Sequence, residues 1–218
     1  MKRILALALL LGIGVTIAYF MMQPKEKPLP IINPVDLETE MVDPEMLRIG
    51  RGHHVADFSF LNQEGETITQ AEVEGKVYVV EYFFTTCGTI CPRMNEQMRR
   101  IQLKFADNGD VRLMSFTVDP EVDTVAQMKR YADDHGAKKG QWHFLTGPKE
   151  DLYALARKSF FVLKPAEAKN LGDVGSDFIH TNNFVLVDQQ GRLRGYYDGT
   201  SAKEVDELML DIQRLLEE

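Results

Sequence analysis

Cys87 and Cys91 are the only cysteines in the chain, and they stand four apart in Cys87-Gly88-Thr89-Ile90-Cys91-Pro92. Side chains four apart on a helix share a face, so a helix beginning at Cys87 puts both sulfurs on one side. A helix N-terminus, with its free amide groups, favours thiolates. Two converging thiolates suit a soft ion such as Cu(I), and they also suit a reversible dithiol–disulfide couple. A plain structural disulfide is the bland alternative; it would close a very short loop and stabilise little. Two sulfurs leave Cu(I) short of a third ligand, and five histidines are available: His53, His54, His135, His143 and His180.

The elements around the cysteines follow from periodicity. Lys76 to Thr86 (KVYVVEYFFTT) is a near-continuous apolar run, the pattern of a central strand covered on both faces. Arg93 to Phe105 has helical spacing through Met94, Met98, Ile101 and Phe105, and the two methionines read as core. Val111 to Val118 is a second core strand, Glu121 to His135 a helix, Gln141 to Leu145 a third strand, and Pro148 opens a helix through Lys158. Ser159 to Ile179 is a long irregular stretch. Asn183 to Val187 and Leu193 to Tyr197 form a hairpin across Asp188-Gln189-Gln190-Gly191. Ser201 caps a last helix ending near Leu216, with Glu204 completing a capping box. In front, Val55 to Leu61 and Glu66 to Thr69 read as two strands joined by a turn. The order is a hairpin, then βαβαβα, then ββα. That predicts an α/β, thioredoxin-like fold with an additional N-terminal β-hairpin and an inserted hairpin near the C-terminus.

In that arrangement His180, at the end of the irregular stretch and just before the hairpin, falls beside the cysteine turn. That place makes it a candidate third ligand, with a role away from any metal as the alternative. His53 and His54 read as solvated surface, His135 as part of a helix C-terminal cap, and His143 as structural. Asp119 and Asp123 read as a solvated turn after a strand. Glu81 stands six residues before Cys87 among Val79, Val80, Tyr82 and Phe83, where an acid is costly unless paired or protonated. The favoured expectation is a sheet-edge position or a Lys or Arg partner. The other is a proton-transfer group for thiol chemistry, at the offset where thioredoxins carry a buried acid.

Ile4 to Met22 is a run of 19 residues without a charge, preceded by Lys2 and Arg3. As a helix it spans roughly 28 Å, close to the hydrocarbon thickness of a bilayer. Its end, Ala18-Tyr19-Phe20-Met21-Met22, is bulky, so an uncleaved signal anchor (residues 1–22) is expected rather than a cleaved signal peptide. Basic residues ahead of the span keep the N-terminus cytoplasmic and export the rest, which points to a bacterial cytoplasmic membrane with the domain on its outer side. Gln23 to Pro34 carries four prolines in twelve residues and reads as a stiff spacer within a tether and arm spanning 23–52. Residues 53–218 form the exported domain. The net charge of −8 argues against nucleic acid as a partner. Hydrophobic content of 44% excludes an extended disordered chain.

Three segments carry a resemblance: FFTTCGTICP (Phe83 to Pro92), FTVDPEVDT (Phe116 to Thr124) and DFIHTNNFVLVDQQGRLRGYYDG (Asp177 to Gly199). In order and spacing the exported domain resembles the SCO/SenC family of membrane-anchored copper proteins, which assist assembly of the copper centre of cytochrome c oxidase. The resemblance implies a thioredoxin-like fold and one copper per chain, as Cu(I), Cu(II) or both. It implies ligation by both cysteines of the CxxxCP motif and by a distal histidine, here Cys87, Cys91 and His180. It implies the oxidase's copper-centre subunit as partner, with an upstream copper donor or thiol reductant. The chain departs from common family members at Gly88, Thr89 and Ile90 between the cysteines, and at Ile179 and Thr181 beside the histidine. Neither departure removes a ligand, but the loss of an acid beside His180 leaves its supporting partner unassigned. The alternative is an enzyme, a thiol–disulfide oxidoreductase in which Cys87 is the nucleophile and Cys91 resolves. A peroxidase ranks lower, because no arginine is placed by motif to polarise a peroxide.

Overall fold

The computed structural model describes residues 11–16, 28–39, 42–162 and 182–218. His180, the rest of 163–181 and most of the Ile4 to Met22 run lie outside the described residues. Residues 11–16 are helical, and among the described residues no helix is long and apolar enough to cross a membrane.

β3 (Val77–Phe83) is the organising strand, with all of its residues buried. Its side chains alternate between two apolar layers, as a strand's must. Val77, Val79 and Phe83 face one layer; Tyr78, Val80 and Tyr82 face the other. On one side of β3 lies β4 (Val111–Thr117), parallel; on the other lies β6 (Asn183–Val187), antiparallel. β5 (Trp142–Thr146) continues the sheet beyond β4 in parallel, and β7 (Leu193–Asp198) closes the hairpin with β6. β1 (Ser59–Asn62) and β2 (Thr67–Thr69) form the front hairpin, and β1 pairs antiparallel with β5. The seven-stranded order is β2-β1-β5-β4-β3-β6-β7. The fold is mixed α/β and thioredoxin-like, with both hairpins extending the sheet at opposite edges.

Besides the short helix α1 (Pro44–Leu47), four longer helices complete the layers. α2 (Cys91–Lys104) buries Met94, Met98 and Ile101 against the Val77/Val79/Phe83 face. Full burial of side chains of this size is worth about 1.5–3 kcal/mol each. α3 (Val125–Asp134) and α5 (Ala202–Glu217) join that layer through Met128, Ala132, Val205, Leu208, Ile212 and Leu215. α4 (Lys149–Lys158) covers the opposite face with Leu152, Tyr153, Leu155 and Ala156.

Several boundaries differ from expectation for local reasons. The front strand begins at Ser59 rather than Val55, because Val55 donates its N–H to Gly191 in the β6–β7 turn at 2.9 Å and joins no ladder. Gly191 itself takes φ +74°, a left-handed conformation that side-chain-bearing residues avoid. α3 starts after Thr124, whose hydroxyl accepts the Gln127 N–H at 3.3 Å. Ser201 caps α5 by accepting the Glu204 N–H, but the Glu204 carboxylate accepts from the Asp198 N–H at 2.7 Å, so only half of the expected capping box forms.

The proline-rich segment is not a free spacer where it is described. Ile32 donates its N–H to Leu193 at 2.8 Å and bridges β7. The buried Arg194 guanidinium donates to the carbonyls of Leu29 and Pro30, and it also binds Asp188 and Glu218. This strap covers the open edge of β7, an edge that otherwise presents unpaired backbone groups.

Candidate metal centre

The chain leaves β3 at Phe83, turns through Phe84 to Ile90, and re-enters regular structure at Cys91, the first residue of α2. Pro92 sits in the first helical turn, where its missing N–H costs nothing. The helix therefore begins at Cys91, not at Cys87 as the spacing argument assumed. Cys87 lies in the turn above it. The two sulfurs still influence each other's ionisation across the helix start, and the Cys87 sulfur lies 3.8 Å from the Thr89 hydroxyl. Both are free thiols, with Cys87 8% and Cys91 3% exposed.

The two thiols are chemically unequal. Burial pushes Cys87 up, but hydrogen bonds from the Cys91 thiol, the Thr89 and Cys91 backbone N–H groups and the Thr89 hydroxyl outweigh it, leaving Cys87 at about 7. Burial also pushes Cys91 up; its interaction with the Cys87 sulfur and the charges of Cys87 and Glu81 add to the rise, and a backbone hydrogen bond at Phe84 offsets only part of it. Near neutral pH Cys87 carries the thiolate and Cys91 the proton.

Glu81 corrects its favoured expectation. It is 1% exposed, sits mid-strand in the centre of the sheet, and points to the same face as Val79 and Phe83, beneath α2. No cation pairs with it among the described residues. Its Oε1 accepts the Ser115 hydroxyl at 2.5 Å, and Ser115 in turn accepts the Trp142 indole N–H at 2.8 Å. Its second oxygen has no partner among the described residues. Burial raises its carboxyl to about 8, against the pull of the Ser115 hydrogen bond, so it is largely protonated at neutral pH. Behind the cysteines, Tyr131 stacks on Phe83 with centroids 5.5 Å apart and accepts the Asn95 amide at 2.6 Å. Sequence reasoning missed this pair, which carries no local signal.

The other candidates separate clearly. His53 is buried rather than solvated: Nε2 lies 2.9 Å from the Ser159 carbonyl and the ring packs on Phe161. His54 is exposed as expected. His135 is the C-cap of α3, its Nδ1 2.8 Å from the Tyr131 carbonyl. His143 is buried in β5, beside Asn62 and Glu72. Met94 and Met98 are core, as read. Asp123 is fully buried rather than part of a solvated turn. Among the described residues no cluster of three His, Cys, Asp or Glu side chains forms a closed metal site. The described donor set is two sulfurs, and its softness fits Cu(I).

The profile of one family, SCO1/SenC, matches residues 48–217. The chain belongs to the SCO1/SenC family. A SCO1 protein homolog of Bacillus subtilis (strain 168) is 34% identical over 163 residues, covering 74% of this chain and 82% of that protein. The structure of BsSco, a member of the Sco family of cytochrome c oxidase assembly proteins in which a disulfide switch was identified, superposes with a TM-score of 0.63. It is 32% identical and covers 76% of this chain and 94% of BsSco. The copper-bound ScoI of Bradyrhizobium japonicum shares the fold at a TM-score of 0.54 and 23% identity, covering 75% of this chain and 99% of ScoI. Within this SCO1/SenC chain the two thiols sit where the central strand passes into α2, Cys87 in the turn and Cys91 at the helix start.

Proposed function

We propose that this protein is a copper-binding assembly factor for the copper centre of a respiratory cytochrome c oxidase, anchored in a bacterial cytoplasmic membrane with its domain outside. Cys87, Cys91 and His180 hold one copper and pass it to the oxidase's copper-centre subunit by ligand exchange. The observation that carries this reading is the pair of free, electrostatically coupled thiols at the strand–helix junction, one of them poised near neutrality. A soft ion gains most from such a pair, and deprotonation of Cys91 on binding completes a dithiolate. Family membership supports the oxidase as the target. The experiment is an anaerobic Cu(I) competition titration of the reduced full chain against a chromogenic chelator. A one-to-one complex that outcompetes the chelator supports copper delivery; no binding with both thiols free overturns it.

A second reading, thiol–disulfide exchange, is favoured by the inequality of the two thiols above a buried acid. The Cys87 thiolate attacks a substrate disulfide, forming a mixed disulfide and expelling one substrate thiolate. The Cys91 thiol passes its proton to the expelled substrate thiolate, attacks the Cys87 sulfur and expels the second thiolate. The substrate ends reduced and the Cys87–Cys91 pair oxidised. The readings are compatible, because only the reduced pair can load copper.

A further inference from the structure

Asp123 is 0% exposed, with no Lys or Arg bound to it among the described residues. Its carboxylate is held by hydroxyl and amide donors. Oδ1 accepts the Thr85 hydroxyl at 2.5 Å, both oxygens share the Thr85 backbone N–H at 3.2 Å, and Oδ2 accepts the Thr117 hydroxyl. The Asp123 N–H is itself tied to the Asp119 carbonyl at 2.8 Å, and Gln127 donates its amide to the Thr85 hydroxyl at 3.3 Å. Burying a carboxylate without a cation is expensive, and an apolar residue would fill the same space without that cost. The position of the carboxylate explains its presence. The β3–β4 ladder ends with the Val118 N–H donating to Phe83 at 2.9 Å. Beyond that rung β3's chain is no longer held by the sheet, yet Cys87 lies only four residues further on. Asp123 supplies the missing tie, across from the β4–α3 loop to Thr85, two residues before Cys87.

We infer that Asp123 is a positioning residue for Cys87. By holding Thr85 it fixes the turn, so that the Cys87 sulfur is set 3.8 Å from the Thr89 hydroxyl at the approach to α2. This inference rests on the reading of Cys87 and Cys91 as the working thiols. Asp123 touches neither sulfur and acts only through Thr85.

The test uses Asp123→Ala, Asp123→Asn and Thr85→Val in the full reduced chain, with far-UV circular dichroism and urea midpoints as folding controls. Two readouts bear on the thiols rather than on the fold: the iodoacetamide alkylation rate of Cys87 at neutral pH, and the dithiol–disulfide equilibrium against glutathione. Asp123→Ala is expected to slow alkylation by about tenfold and to shift the equilibrium about tenfold toward the disulfide, a change of about 30 mV. Asp123→Asn should restore most of both, since its amide oxygen still accepts from Thr85 and its NH2 can donate to Thr117. A folded Asp123→Ala with both readouts unchanged overturns the inference and leaves Asp123 as a brace for the β4–α3 loop alone. If Asp123→Ala does not fold, Thr85→Val decides: it keeps the backbone N–H and the volume and loses only the hydroxyl. A shift of about threefold supports the inference, and no shift overturns it. Failure of the parent chain to bind Cu(I) would sink the copper reading while leaving both thiol readouts valid.

Discussion

Ser115 donates its hydroxyl hydrogen to Glu81 directly across the β3–β4 pair, at 2.5 Å, with both residues buried beneath the helix that begins at Cys91. This hydrogen bond joins the acid to the strand behind it without supplying a charge. Glu81 therefore remains a carboxyl group near the midpoint of its titration at mildly alkaline pH, with its field reaching Cys91.

The pH dependence of stability follows from that carboxyl. Its folded value of about 8 lies above the unfolded value of about 4.3, so between them the native state binds more protons than the unfolded state. The contribution of Glu81 is present below about pH 4.3 and is lost as pH rises through 8, at about 1.4 kcal/mol per unit at most. Glu81→Gln should flatten this dependence and be more stable than the parent at pH 8 to 9. Urea midpoints of both proteins across pH 5 to 9 check it; parallel curves would mean that Glu81 is not the group titrating.

Cys87 and Cys91 should differ in reactivity by more than their exposure suggests. Iodoacetamide should modify Cys87 first, with a rate that is half-maximal near pH 7, while Cys91 resists. Cys91→Ala removes one hydrogen bond to the thiolate and should move that half-maximum upward. Peptide mapping by mass spectrometry across the pH range gives both answers, and equal labelling at pH 7 would contradict the assignment.

Copper binding should fail when either sulfur is removed. Cys87→Ala and Cys91→Ala each leave a single soft donor, so affinity should fall by at least about a hundredfold. His180→Ala should leave the urea midpoint unchanged while weakening copper binding and altering the Cu(II) absorption spectrum. An unaltered affinity and spectrum would place the third ligand elsewhere.

The strap offers a prediction about stability away from the thiols. Arg194 holds Leu29, Pro30, Asp188 and Glu218 together, and Asp188 is fully buried. Arg194→Ala leaves Asp188 with Arg192 as its one cation among the described residues and should cost about 3 kcal/mol. The loss is read from urea denaturation, accompanied by faster proteolysis around Leu29. Unchanged cleavage there would show that the Ile32 bridge suffices to hold the strap.

Local pattern determined much of this protein. The run KVYVVEYFF reads as a buried central strand because both of its faces are apolar, and the Met94, Met98 and Ile101 spacing reads as one buried helix face. The pairing of Cys87 with Cys91 at a strand–helix junction was visible for the same reason: strand, turn and helix signals are consecutive in the chain. What tertiary structure alone decided involves partners far apart in sequence. Glu81 meets Ser115, Asp123 meets Thr85, His53 meets Ser159, and Arg194 meets Leu29. A polar residue's own neighbours in sequence report the price of burying it, but not whether a distant hydroxyl, carbonyl or guanidinium will be there to receive it. That depends on strand order, which periodicity does not encode. So the place of the cysteine turn could be read from residues 87–92, while the surroundings supplied by Asp123 and Glu81 emerged only once β3 and β4 lay side by side.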